Sequence, residues 1–133
     1  ATVQDFSAVT GACLLVKTSV WDEVKGLDEA FSVAFNDVDF CLRVRDAGYR
    51  IAWTPYAQLT HYESKSRGGD EKDPVKAARF AAEQQRLYEV HGKENILHDP
   101  YYNPNLTMDR EDFSESDDLR GLKEGRITVQ WRE

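Results

Sequence analysis

The 133 residues include only two cysteines, Cys13 and Cys41, with no C-x-x-C spacing and no pairing pattern. That scarcity argues for reduced thiols in a cytosolic protein, with both side chains in the core. No apolar run approaches the length of a membrane span, and no basic-then-apolar signal opens the chain, so this piece reads as soluble. The formal charge is −7, and no Lys/Arg-rich run or basic helical stripe is present. A phosphate-tracking groove for nucleic acid is thereby disfavoured. An internal repeat is also missing, so solenoid and propeller architectures fall away. What remains suits one domain with a modest core, since 41% of residues are apolar. The chain opens at Ala1 rather than Met, and its first residues read as fold interior, which gives the expectation of an excerpt from a longer protein.

Ala12-Cys13-Leu14-Leu15-Val16 is a short continuous apolar run and predicts a strand buried on both faces. Thr18-Ser19, the acidic residues Asp22 and Glu23, and the terminator Gly26 predict a short capped helix over 19–25. Residues 27–36 mix turn-formers with Phe31, Val33 and Phe35 and read as a partly buried loop. From Asp37 the apolar residues recur at three and four until Gly48, so a helix over 37–47 is expected. Arg50-Ile51-Ala52-Trp53-Thr54 reads as a strand closed by Pro55, and residues 58–62 as another extended piece. A polar, glycine-containing loop occupies 64–70. Asp73-Pro74 then supplies a cap and a proline at the first helical position, and Ala77, Phe80, Ala81, Gln84, Leu87, Tyr88 and His91 keep helical spacing up to Gly92. The aromatic positions of this helix read as core. Prolines and asparagines in 98–105 exclude regular structure, and the acidic stretch 114–133 reads as a solvated tail, with 127–131 the one piece able to add an edge strand.

Phe35-Asn36-Asp37-Val38-Asp39-Phe40-Cys41-Leu42-Arg43 carries the most chemistry, because it sets two carboxylates at the mouth of an otherwise apolar helix. Taken alone, Asp37 is a helix cap and Asp39 a charge favoured by the helix dipole. Five ordered segments add context: residues 10–16, 26–31, 36–43, 47–51 and 61–68. In order and spacing they resemble the second half of family 2 glycosyltransferases of the GT-A fold, and Asp99-Pro100-Tyr101-Tyr102-Asn103-Pro104-Asn105-Leu106 resembles a segment of bacterial members. The resemblance covers about residues 8–113.

The resemblance implies an α/β architecture: a partial GT-A fold whose short mixed sheet is packed by helices and followed by an irregular C-terminal extension. Residues 1–113 then form the acceptor-side portion of a transferase domain. Asp37 matches the general base that deprotonates an acceptor hydroxyl as its oxygen displaces a nucleoside diphosphate with inversion. Asp39 takes a supporting or capping role. Asn36 departs from the family pattern, where many relatives carry an acid. His61 matches a histidine that in several relatives ligates the divalent metal, Mn²⁺ or Mg²⁺, bridging the donor diphosphate. Lys65 and Arg67 could close over that diphosphate, with Glu63 pairing either, and Gly11 lies in the strand segment beside it. Plain surface charge is the competing reading of both cations.

The family's nucleotide-binding half, with its separate metal-holding D-x-D, has no counterpart in these residues, so the chain alone is expected to be inactive. Expected partners are a nucleotide-sugar donor, a carbohydrate or lipid-linked acceptor and the missing N-terminal half, with self-association through the face that half would cover. The parent is expected in the cytoplasm, against the inner membrane face if it is membrane-associated, working in surface polysaccharide or lipopolysaccharide synthesis. Two rivals stand beside this reading. One is a noncatalytic module that binds sugars or partners through Tyr49, Trp53, Tyr56, Tyr62, Tyr101 and Tyr102. The other is a small hydrolase holding a metal with Asp37, Asp39 and His61.

Overall fold

The computed structural model describes residues 2–60 and 73–102. The chain divides into two compact units, Ala1–Leu97 and His98–Glu133. Elements of the first, in chain order, are β1 (Gln4–Asp5), a 3₁₀ turn (Gly11–Cys13), α1 (Thr18–Glu23), α2 (Asn36–Asp46), β2 (Ala52–Trp53), α3 (Pro74–His91) and α4 (Lys93–Leu97). The architecture is mixed α/β, consistent with a partial GT-A-like fold. Its sheet is a two-stranded antiparallel pair, with Gln4 opposite Trp53 and Asp5 opposite Ala52. Arg50 clamps Asp5 across this pair with bonds of 2.8–3.1 Å. Among the described residues of the second unit, Asp99 forms a turn, its carboxylate accepting from the Tyr101 N–H and its carbonyl from the Tyr102 N–H.

The core gathers on α2. Phe40, Cys41 and Val44 are buried there, joined by Val20 of α1 and Ile51 before β2, with Ala8, Val9, Leu14, Val16 and Val24 packed around them. Burial pushes the Cys41 thiol up, and its Sγ lies 3.8 Å from the Val9 carbonyl. A cysteine in such a place acts as a small hydrophobe.

The helices follow from their termini. Asp73 caps α3 by accepting the Val75 N–H at 2.9 Å, Pro74 supplies the first helical position, and Gly92 closes it at φ 81. α2 ends before Gly48 at φ 91. Between α1 and the following loop the chain reverses through two left-handed residues, Lys25 (φ 62) and Gly26 (φ 64). Glycine is required at the second, because a Cβ there would come within 2.8 Å of the Trp21 ring.

Several expectations need correction. Residues 12–16 form no strand: the segment is a 3₁₀ turn followed by extended chain, with Leu15 99% exposed. A buried strand needs neighbours on both sides, and among the described residues no strand pairs with it. Cys13 is consequently exposed rather than core. α1 runs from Thr18, one residue early, and its N-cap is Lys17 without a side-chain bond. Residues 58–60 lie outside any strand, and Tyr62 falls outside the described residues. On α3 the buried side chains are Glu83 and Leu87, whereas Phe80 is 48% exposed, so its aromatic stripe is only partly core. The short helix α4 had no sequence signal.

Candidate active site

The loop before α2 delivers two carboxylates into different surroundings. Phe35, the N-cap of α2, has φ 63 and ψ 5. A bulky residue in that left-handed region costs about 1–3 kcal/mol and persists only where neighbours fix it. Asn36 then turns the chain into the helix, its Oδ1 accepting the Asp37 N–H at 2.8 Å.

Asp37 is half-buried. Its Oδ1 accepts the Val38 N–H at 2.9 Å, and its Oδ2 accepts the Gly11 N–H at 2.8 Å. The first bond satisfies a donor at the helix start, as a cap does. The second joins the helix to the 3₁₀ turn 26 residues earlier in the chain. Thr10 shapes that turn by accepting the Ala12 N–H at 3.2 Å. Gly11 sits close against the carboxylate: a Cβ would lie 3.3 Å from the Asp37 Cβ. A carboxylate offers about four lone-pair sites, so two remain on Asp37 after these bonds.

Asp39 faces the other way and is 1% exposed. Arg43, one turn along the same helix, donates to its Oδ2 through Nε at 2.8 Å and places Nη2 2.7 Å from the same oxygen. His91 Nε2, at the end of α3, lies 2.7 Å from its Oδ1. Arg43 also donates to the Val24 carbonyl, tying the loop after α1 into the cluster. A buried carboxylate without partners costs several kcal/mol, roughly, and here both oxygens are engaged. Asp39 is therefore a fastening point between α2 and α3.

A third carboxylate belongs to the same region. Glu83 of α3 is 5% exposed and reaches the loop before α2, accepting the Ser32 hydroxyl at 2.9 Å and the Ala34 N–H at 2.6 Å. Burial pushes its carboxyl up, but the Ala34 N–H, the Ser32 hydroxyl and the N–H groups of Val33 and Ser32 outweigh that and hold it below the ordinary glutamate value. Beside it Phe80 packs on Phe35 with ring centroids 4.9 Å apart. Arg86 pairs with Asp28 at 3.2 Å and stands over the buried Phe31 ring.

Of the residues singled out from sequence, the structure brings Asp37 and Gly11 into contact and separates Asp39 from them by its buried pairing. His61, Lys65 and Arg67 lie outside the described residues, as does Glu63. Among the described residues, no three His, Cys, Asp or Glu side chains gather as a metal site. Sequence reasoning passed over Glu83 and placed His91 on the helical stripe without its partner Asp39. His91 had a signal: it falls on the inward stripe of α3 with Leu87, and a histidine buried there needs a polar partner.

A family profile described as "Glycosyltransferase like family 2" matches residues 2–87. Relatives include an uncharacterized protein, y4gI, of Sinorhizobium fredii, 49% identical over 114 residues that cover 83% of this chain and 12% of that protein. The O-antigen biosynthesis protein RfbC of Myxococcus xanthus is 32% identical over 105 residues, covering 79% of this chain and 8% of that protein. The N-acetylglucosaminyl-diphospho-decaprenol L-rhamnosyltransferase of Mycobacterium tuberculosis is 34% identical over 80 residues, which are 60% of this chain and 24% of the enzyme. The chain thus spans a quarter or less of the length of each. No solved structure matches it. Among the described residues, no helix is long and apolar enough to cross a membrane.

Proposed function

The chain belongs to glycosyltransferase family 2, and on that premise we propose that it is the acceptor-side part of an inverting transferase that builds bacterial surface polysaccharide or lipopolysaccharide. One observation carries the reading: of the two carboxylates opening α2, Asp37 keeps lone pairs and partial exposure, while Asp39 is buried against Arg43 and His91. A base must reach its proton directly. Asp37 takes the proton from the acceptor hydroxyl, that oxygen bonds to the anomeric carbon from the face opposite the leaving group, and the bond to the diphosphate breaks. The donor is a nucleotide-diphosphate sugar and the acceptor a carbohydrate or lipid-linked hydroxyl. The relatives named for O-antigen biosynthesis and for rhamnosyl transfer support this setting.

The divalent metal implied by the resemblance draws on His61 together with carboxylates from other segments. The described residues do not form such a set, and no step here depends on it. The hydrolase rival is disfavoured, since Asp39 is buried with its oxygens on Arg43 and His91. The binding-module reading is favoured by the exposed rings of Trp53 and Tyr56.

The experiment that separates these readings is turnover of a panel of nucleotide-diphosphate sugars by the full-length protein with Mn²⁺ present. Asp37→Asn is expected to lower kcat by about 10²–10⁴-fold with donor binding intact. Asp39→Asn is expected to act first on thermal stability. Normal turnover in both variants makes Asp37 a helix cap and brings the binding module forward. The 133-residue chain by itself is expected to give no turnover.

A further inference from the structure

The side chains of α3 that face the catalytic loop are Phe80, Glu83, Leu87 and His91, spaced three, four and four residues apart, which places them along one helical stripe. Three of them touch the segment that carries Asp37. Phe80 packs on Phe35, Glu83 accepts from Ser32 and Ala34, and His91 meets Asp39. Glu83 is the unusual member, a 5% exposed carboxylate whose hydrogen-bond partners Ser32 and Ala34 belong to the chain immediately before α2. Ala34 and Phe35 are the two residues whose backbone decides how Asn36 and Asp37 enter the helix, and Phe35 enters from a left-handed conformation. Nothing in the local sequence favours that conformation for phenylalanine, so tertiary contacts must fix it.

We propose that Glu83 is a positioning residue for the transfer reaction, acting through the Ser32–Phe35 turn to hold the Asp37 carboxylate at the reacting hydroxyl. The inference rests on Asp37 being the base. Glu83 touches no reacting atom. Its two oxygens grip the turn at Ser32 and Ala34, and the Phe80 ring backs Phe35, which together hold the turn where Asp37 meets Gly11. The ionised state of Glu83 suits the task, since backbone N–H groups bind a carboxylate more strongly than a neutral acid.

The test is a mutant cycle in the full-length protein, with kcat, donor KM and thermal midpoint read for each variant. Glu83→Gln keeps the shape but loses the charge and one of the two acceptor oxygens that face Ser32 and the 32–34 N–H groups, so the grip weakens and kcat is expected to fall about 10-fold to 100-fold with donor KM within about twofold. In the Asp37→Asn background the same change is expected to cost less than about twofold, because a residue that acts through Asp37 has nothing left to position. Ser32→Ala, which removes one grip from the exposed side, is expected to lower kcat a few-fold and covers the case in which a Glu83 variant fails to fold. Glu89→Gln, which lies on the exposed side of the same helix and pairs with Gln85, is the control and is expected to leave kcat unchanged. Wild-type kcat in folded Glu83→Gln, or equal losses in both backgrounds, overturns the proposal while leaving Asp37 as the base. Full turnover in Asp37→Asn overturns the base assignment and the proposal with it.

Discussion

The first turn of α2 separates two regions that differ in almost everything except their carboxylates. On the side of the 10–13 turn, Asp37 is half-buried and, among the described residues, bonded to the neutral backbone N–H groups of Gly11 and Val38. On the side of α3, Asp39 and Glu83 are 1% and 5% exposed, and each has its oxygens taken by Arg43 and His91 or by the 32–34 turn. Partial exposure leaves a carboxylate open to a substrate, and burial against its partners closes it to one and gives rigidity. Two aspartates two residues apart thereby meet opposite surroundings, and the direction of their side chains, rather than the letters D-x-D, separates them.

The contrast is broken most severely by removing a partner of the buried acid. Arg43→Met leaves Asp39 with His91 alone, and stability is expected to fall by about 3 kcal/mol, read from the urea midpoint. Adding Asp39→Asn to that variant removes the uncompensated charge and is expected to restore part of the loss. If Arg43→Met matches wild type, Asp39 is not the fastening point described above.

A milder change sharpens the other side. Gly11→Ala places a methyl 3.3 Å from the Asp37 Cβ and 3.6 Å from its Oδ2, so the carboxylate or the turn must shift by a few tenths of an ångström. Since a misplacement of about 1 Å can cost 10²-fold, a shift of that size is expected to lower kcat roughly fivefold while the urea midpoint hardly moves. A variant that loses stability and keeps its kcat would reverse the proposed division of labour.

The two sides also differ in how far the sequence announced them. α3 was legible to the residue, because Asp73-Pro74 and Gly92 are local signals whose chemistry acts within one turn. The start of α2 followed to within one residue from the periodicity that begins at Asp37, whereas the bond from Gly11 to Asp37 spans 26 residues and had no signal in the sequence. The 12–16 strand failed because an apolar run records a need for neighbours without supplying them. β1 is two residues long and carries no periodicity to read. Glu83 and His91 act across 49 to 52 residues of chain, and spacing along the sequence says nothing about such pairs. A buried glutamate in particular runs against its ordinary preference for the surface, so only the fold reveals it.

Acidification gives the smallest effect and isolates the α3 side. Glu83 is depressed in the folded state, so the stability it contributes is fully present above its unfolded value of about 4.3 and is lost as pH falls through the lower folded value. Glu83→Gln has no such proton to take up. The stability difference between wild type and Glu83→Gln, followed by urea midpoint from about pH 6 down to about pH 3, is therefore expected to stay level above about 4.3 and to narrow below it. Asp28 is also held low, first by the Ala30 N–H and then by Arg86, but it titrates alike in both proteins and cancels from the difference. A difference that stays constant across that range would mean that the 32–34 turn is held equally well by a neutral side chain. The rigidity of the buried side would then rest on Asp39 and its partners, and Phe80 would be the remaining support for Phe35.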